Sequence, residues 1–317
     1  MTNNCNYHYS ICAIVFGADE TILNIKLKDG FRFEKKSIFL LKDKLDKIFE
    51  TDMISLRRDY TTALLDGINS KDGIVICIVK DFDIELHNTE LDEYWRNQTS
   101  SDYQSIDNQI RIIRLIEEGP VRVKRISFRM EYLDQETLNK TNYNWLTTVG
   151  ESYSTIQKTK LHCDLQSINT INGFINSIHF PIDDNTMHSV HLFYDLSYHN
   201  ELCVSLTLLT TSLELLFLND DEHGSKKEML SKRCATYIGN SPNEITSLYL
   251  KLKETYKKRS EFIHNGDYGC IGIDDVIFLR KCVRNCFLKA FSISDKKQER
   301  IEELMSFVKA NKQLFGE

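Results

Sequence analysis

Arg259 and His264 stand five residues apart in the run Tyr256-Lys257-Lys258-Arg259-Ser260-Glu261-Phe262-Ile263-His264-Asn265-Gly266. An arginine keeps its charge throughout the physiological pH range, whereas histidine is the side chain that exchanges a proton near neutrality. Together they form a workable set for cutting an RNA phosphodiester. The substrate brings its own nucleophile, the 2′-OH. A histidine can take that proton, or deliver one to the departing 5′-oxygen. An arginine can stabilise the charge that gathers on the phosphorane oxygens. This chemistry calls for no metal and no cofactor. Lys251, Lys253, Lys257 and Lys258 crowd the same stretch, with the Tyr256 ring among them. They are expected to form a local basic strip along which a phosphate backbone can lie.

The element that must carry these residues reads as a helix. Ser241 suits an N-cap, Pro242 the first helical position, and Glu244 completes a capping box three residues on. The helix then runs to His264, with Asn265-Gly266 as its stop. On an ideal helix, residues five apart lie about 140° apart around the axis, so Arg259 and His264 do not share a face. A frayed last turn is expected to let the His264 ring swing toward Arg259, and the helix C-terminus favours the imidazolium. The same residues also suit a structural role, with His264 capping the last carbonyls and the lysines forming a solvated face.

The rest of the C-terminal part repeats the helical period. Leu192–Tyr198 is a short helical piece, Glu201–Leu218 a long apolar helix and Ser225–Ile238 a third. After the Ser241 helix, Ile273 or Asp274 opens another, and Asp295 opens a last one to about Lys312. Short connections between these helices imply a bundle over residues 186–317.

Residues 1–185 read as an α+β domain. Tyr9–Phe16 is a strand, and Ile22–Leu27 with Phe31–Phe33 around Lys28-Asp29-Gly30 reads as a hairpin. Ile38–Phe49 has helical spacing. Gly73–Val79 is apolar throughout, as a strand buried on both faces would be. Ile106–Glu118 is an amphipathic helix, and Val121–Met130 alternates like a half-exposed strand with Arg122, Lys124 and Arg129 in solvent. Tyr132–His162 gives no clear period, Leu165–Ile178 reads as a weak helix, and Phe180–Asn185 is the seam between the parts.

Net charge is −6, so nucleic-acid contact must come from a local patch rather than from bulk charge. From Thr186 onward the chain holds 18 basic and 18 acidic residues, so the whole deficit lies before it. Nine cysteines without a Cys-x-x-Cys pair point to free, mostly buried thiols in a reducing compartment. There is no signal-peptide pattern and no apolar run of membrane length, so the expected location is cytoplasmic, without membrane contact. His188 and His191 at i,i+3, with His199 and Asp195 nearby, hold the elements of a metal set but fit surface histidines of a helix better. No Gly-rich phosphate loop occurs, and a nucleotide-transfer reading lacks its paired carboxylates.

Three segments in order carry a resemblance: Ser212-Leu213-Glu214-Leu215-Leu216-Phe217, Leu230-Ser231-Lys232-Arg233-Cys234-Ala235, and Leu252-x3-Tyr256-x2-Arg259-Ser260-x2-Ile263-His264-Asn265-Gly266. They resemble the HEPN superfamily, most closely its ApeA-like branch, over about Met187–Lys312. Asn265 intervenes where that branch has His followed directly by Gly. The resemblance implies an all-α HEPN-like bundle behind the α+β domain. It also implies a metal-independent endoribonuclease with Arg259 and His264 catalytic and a 2′,3′-cyclic phosphate product. Glu214, Arg233, Ser260 and Asn265 are the supporting candidates, Glu214 and Arg233 through buried ion pairs or hydrogen bonds to Arg259. Such proteins typically form homodimers in which two motifs face one another, so one protomer's His could act with the other's Arg. RNA, either tRNA or mRNA, would be the substrate. A toxin-like role in bacterial defence against phage by abortive infection would follow, with a phage-derived trigger or an antitoxin as further partner. The alternative is a catalytically inactive dimerisation or binding module.

Overall fold

The computed structural model describes residues 4–37, 74–87, 89–117, 119, 121–133, 143–148, 160–177, 185–198, 200–219, 222–292 and 296–316. These residues fall into two compact units, divided at Phe180/Pro181. The expected helix at Ile38–Phe49 lies outside the described residues.

The first unit is an antiparallel five-stranded sheet in the order β2-β3-β1-β4-β5. Its strands are β1 (Asn4–Phe16), β2 (Arg32–Ser37), β3 (Ile74–His87), β4 (Arg122–Tyr132) and β5 (Tyr143–Thr148). Helix α1 (Leu91–Ile116) joins β3 to β4, and α2 (Leu165–Ser177) follows β5. Strict alternation along β1 buries Tyr7, Tyr9, Ile11 and Ala13, the period-2 pattern of a sheet with one face on a core. That face is tied to α1 by the buried carboxylate of Asp102. It accepts from Tyr9 Oη at 3.0 Å, Lys80 Nζ at 2.7 Å and Gln98 Nε2 at 2.9 Å.

The sheet corrects several sequence expectations. Asp29 and Gly30 do form a turn at φ 59° and 79°, closed by Phe31 N–H donating to Lys28 O at 3.0 Å. The segment before it is not a strand, because Glu20–Asn24 is a 3-10 turn capped by Asp19. Side chains of α1 and α2 take its backbone donors, Gln109 at Lys28 and Asn172 at Lys26. Strand β2 pairs instead with β3, about forty residues on in sequence. β3 runs past the apolar stretch to His87, and only Cys77, Ile78 and Val79 are buried consecutively. α1 begins fifteen residues before Ile106, because its first half is polar. β5, unread in the sequence, pairs with β4 from Tyr143 to Thr148.

The second unit is helical: α3 (Asn185–Leu196), α4 (Leu202–Phe217), α5 (Lys226–Ile238), α6 (Pro242–Asn265), α7 (Ile273–Ser292) and α8 (Lys297–Ala310), closed by a 3-10 turn at Lys312–Phe315. The most apolar helix, α4, touches each of the other five. Its Leu206, Leu209, Leu213, Leu216 and Phe217 lie in the core beside Leu230 and Cys234 of α5 and Val276, Leu279, Val283, Cys286 and Phe287 of α7. The described cysteines are free thiols, six of them buried. No described helix is long and apolar enough to cross a membrane.

Candidate functional site: the C-terminal end of helix α6

Helix α6 is capped at both ends as its sequence specifies. Ser241 Oγ accepts from Glu244 N–H, and the Glu244 carboxylate reaches back to Asn240 N–H at 2.9 Å. Gly266 adopts φ 70°, ψ 13°, and its N–H donates to Phe262 O at 2.9 Å. This left-handed cap holds the last turn in helical geometry through Asn265. The last turn therefore does not fray, and the angular separation of Arg259 and His264 remains. Among the described residues, no hydrogen bond or ion pair joins the two side chains.

Arg259 lies on the core-facing seam of α6. Ile245, Tyr249, Leu252, Tyr256, Arg259 and Ile263 repeat at alternating steps of four and three, the spacing of a helix stripe. Burial fades along it. Ile245, Tyr249 and Leu252 are buried, Tyr256 and Arg259 are half-buried, and Ile263 is exposed. A charged side chain at such a position needs partners. Arg259 finds few. Its Nη2 stands 4.0 Å from Glu214 Oε2 of α4, beyond hydrogen-bond length, and its guanidinium lies 5.7 Å from the centroid of the Tyr256 ring. Its Nε is buried without a hydrogen-bond partner. An unmade hydrogen bond on a buried donor costs about 1–3 kcal/mol.

Tyr256 completes the cluster by donating from Oη to Glu214 Oε1 at 2.8 Å. Burial, then the hydrogen bond to the Glu214 carboxylate and its charge, push the Tyr256 phenol up to about 12, with Arg259 pulling the other way. Sequence reasoning counted this ring with the lysine strip. The signal that could have separated it is its place on the seam, three residues before Arg259.

His264 is exposed and lies about 100° around the helix from Ile263. On its side of α6 stand Ser260, Lys257 and Lys253, four, seven and eleven residues earlier. Ser260 is half-buried and Asn265 exposed.

The expected lysine strip divides. Lys251 and Lys258 turn toward α7, where Lys251 Nζ lies 4.5 Å over the Phe278 ring and Lys258 Nζ is 2.9 Å from Asp275. Lys253 pairs with Glu228 of α5 at 2.5 Å and donates to Tyr249 Oη at 3.2 Å. Lys257, exposed like Lys251, stands 3.5 Å from Glu261 one turn on. Adjacency in sequence overstated the strip because the helix turns three of the four lysines toward two neighbouring helices, α5 and α7, both of which present acids.

Arg233 does not reach Arg259. It is buried, forks onto both oxygens of Glu222, and donates to Phe217 O at 2.6 Å, so it fastens the exit of α4. Its sequence expectation as a buried ion pair holds, and its expected link to the motif does not. His191 is also corrected. It is buried, with its ring 5.7 Å from that of Phe287, and is no surface histidine, while His188 is exposed. His199 lies outside the described residues. No group of three or more metal-binding side chains converges among the described residues.

No family model matches this chain, and neither curated proteins nor solved structures yield a match.

Proposed function

We propose that the protein is a metal-independent endoribonuclease whose active groups are Arg259 and His264, acting across a homodimer of the helical unit. The observation that carries this reading is Arg259 itself. It occupies a seam position, is half-buried, and makes no hydrogen bond among the described residues. An orphan Nε is shared with other arginines of the chain, but a half-buried guanidinium with no hydrogen bond at all among the described residues has its donors to offer a ligand. A phosphate offers a planar guanidinium the paired acceptors it lacks.

In the proposed reaction the RNA 2′-oxygen attacks its adjacent phosphorus as a base removes its proton. The P–O5′ bond breaks, and the 5′-oxygen leaves with a proton. The products are a 2′,3′-cyclic phosphate and a 5′-hydroxyl. His264, exposed at the tip of α6, supplies proton transfer, and Arg259 stabilises the phosphorane. Their separation within one protomer favours a site that pairs the Arg259 of one chain with the His264 of another. Lys257, exposed on the side of α6 that carries His264 and held among the described residues by its own helix's Glu261 alone, is the lysine assigned to a phosphate backbone. The resemblance of the three helical segments to ApeA-like HEPN domains supports the same reading, and with it a toxin-like role in defence against phage with tRNA or mRNA as target.

The experiment is cleavage of RNA by purified protein in EDTA, compared with Arg259→Ala and His264→Ala. Ends of RNA sequenced from cells expressing wild type or His264→Ala extend it. Wild type inert on every RNA offered contradicts the proposal. A second reading, a binding module without catalysis, draws on Ile263, Tyr268 and Ile273, which are apolar and exposed at this end of the bundle.

A further inference from the structure

We propose that Tyr256 is a positioning residue that keeps Arg259 open to a phosphate by occupying the carboxylate that would otherwise capture it. The inference rests on the ribonuclease reading of the same site.

Glu214 has two oxygens. Oε1 accepts the Tyr256 hydroxyl at 2.8 Å, and Oε2 faces Arg259 Nη2 at 4.0 Å. A carboxylate and a guanidinium so close ordinarily close into a fork, with two parallel N–H···O bonds that use both oxygens. The phenol holds one of them. The same unit contains a closed counterpart. Glu222 Oε2 accepts the backbone N–H of Asn219 at 3.0 Å but no tyrosine hydroxyl among the described residues, and there Arg233 still donates from Nη1 and Nη2 to the two oxygens. It is therefore the side-chain tether of Glu214 to Tyr256, rather than mere occupancy of an oxygen, that distinguishes the open pair. Glu214 thus supplies attraction without a closed pair, and the Tyr256 ring underlies the guanidinium at 5.7 Å. The phenol, pushed up to about 12, stays a donor wherever RNA would be bound. The device is local: Tyr256 and Arg259 are three apart on α6, and Glu214 comes from α4.

The variant Tyr256→Phe keeps the ring and removes the donor. Glu214 should then close on Arg259 as Glu222 closes on Arg233. Binding of a 2′-O-methyl RNA 20-mer, which cannot be cut by 2′-OH attack, should weaken roughly tenfold. In Tyr256→Phe/Glu214→Gln the capturing charge is gone, and binding should return to within about twofold of wild type. A tyrosine that served only packing would leave the double variant no better than the single. Nitrogen-detected NMR of the arginine side chains gives a readout independent of RNA. The Arg259 guanidinium, assigned with Arg259→Lys, should rotate freely in wild type and show slowed, resolved Nη protons in Tyr256→Phe alone. Unchanged binding and unchanged rotation in Tyr256→Phe overturn the inference, as does a double variant no better than Tyr256→Phe. If wild type binds no RNA, the ribonuclease reading falls, and the NMR comparison still decides whether Tyr256 holds Glu214 away from Arg259.

Discussion

The two ends of helix α6 obey different rules. In its first half the capping groups and the seam tyrosine are engaged, although Leu250 off the seam is exposed. Ser241 and Glu244 cap the entry, Thr246 Oγ1 donates to Leu314 O at 3.0 Å, and the Tyr249 ring meets Phe315 at 5.2 Å. Tyr249 Oη and Lys253 Nζ converge on Glu228 at 2.7 and 2.5 Å. In the last turns the same seam presents an arginine with a buried, unpartnered Nε, then an exposed isoleucine, with an exposed histidine beside it. The first half is organised for stability. The end leaves an arginine without a hydrogen bond among the described residues, the feature on which the proposed site rests.

The sharpest contrast comes from substitutions along the seam. Leu252→Ala, at a fully buried position, should lower the unfolding free energy by about 2–5 kcal/mol in denaturant melts. Arg259→Ala should instead leave stability equal to wild type or raise it, because it removes an unpaired donor. It should reduce RNA cleavage by about 10²–10³-fold. His264→Ala should do the same to cleavage and change stability by less than about 0.5 kcal/mol. A strongly destabilised Arg259→Ala would erase the distinction between the two ends.

Smaller effects sharpen it. Gly266→Ala meets no steric obstacle but must hold φ 70°. It should cost about 1 kcal/mol and loosen the last turn, seen as faster amide exchange from Phe262 to Gly266. At the other end, Glu228 provides a pH test. Burial alone would raise its carboxyl, but hydrogen bonds from Lys253 and Tyr249 outweigh it and hold the group below its ordinary range. A depressed folded value means stability that is full above the ordinary glutamate range and lost as pH falls through the folded value. The difference in Tm between wild type and Glu228→Gln should be constant near neutrality and shrink in acid.

What was legible in the sequence was local. Ser241-Pro242-Asn243-Glu244 and Asn265-Gly266 mark helix ends by chemistry within one turn, and the structure places α6 between them. The Asp29-Gly30 turn was legible for the same reason, but the partner of β2 was not, since β3 lies across a long stretch of chain. β5 was missed because its pairing with β4 is decided by register rather than by period. The site was half-readable. Arg259 and His264 carry their chemistry in their side chains. The seam position of Arg259 follows from counting along the helix. The Glu214–Tyr256 bond and the acids beside Lys253 and Lys258 come from other helices, and no spacing within α6 announces them.

The central claim is that this end of α6 acts as one half of a site completed by a second chain. Mixing Arg259→Ala with His264→Ala protein tests it directly. In a twofold dimer with shared sites, the mixed species has one site missing both groups and one site with both intact. Each protein alone should be inactive in EDTA. After exchange of subunits about half the dimers are mixed, each with one of its two sites intact, so cleavage should return to roughly a quarter of wild type. Cleavage that stays absent in the mixture, while wild type remains active under the same conditions, would contradict the account.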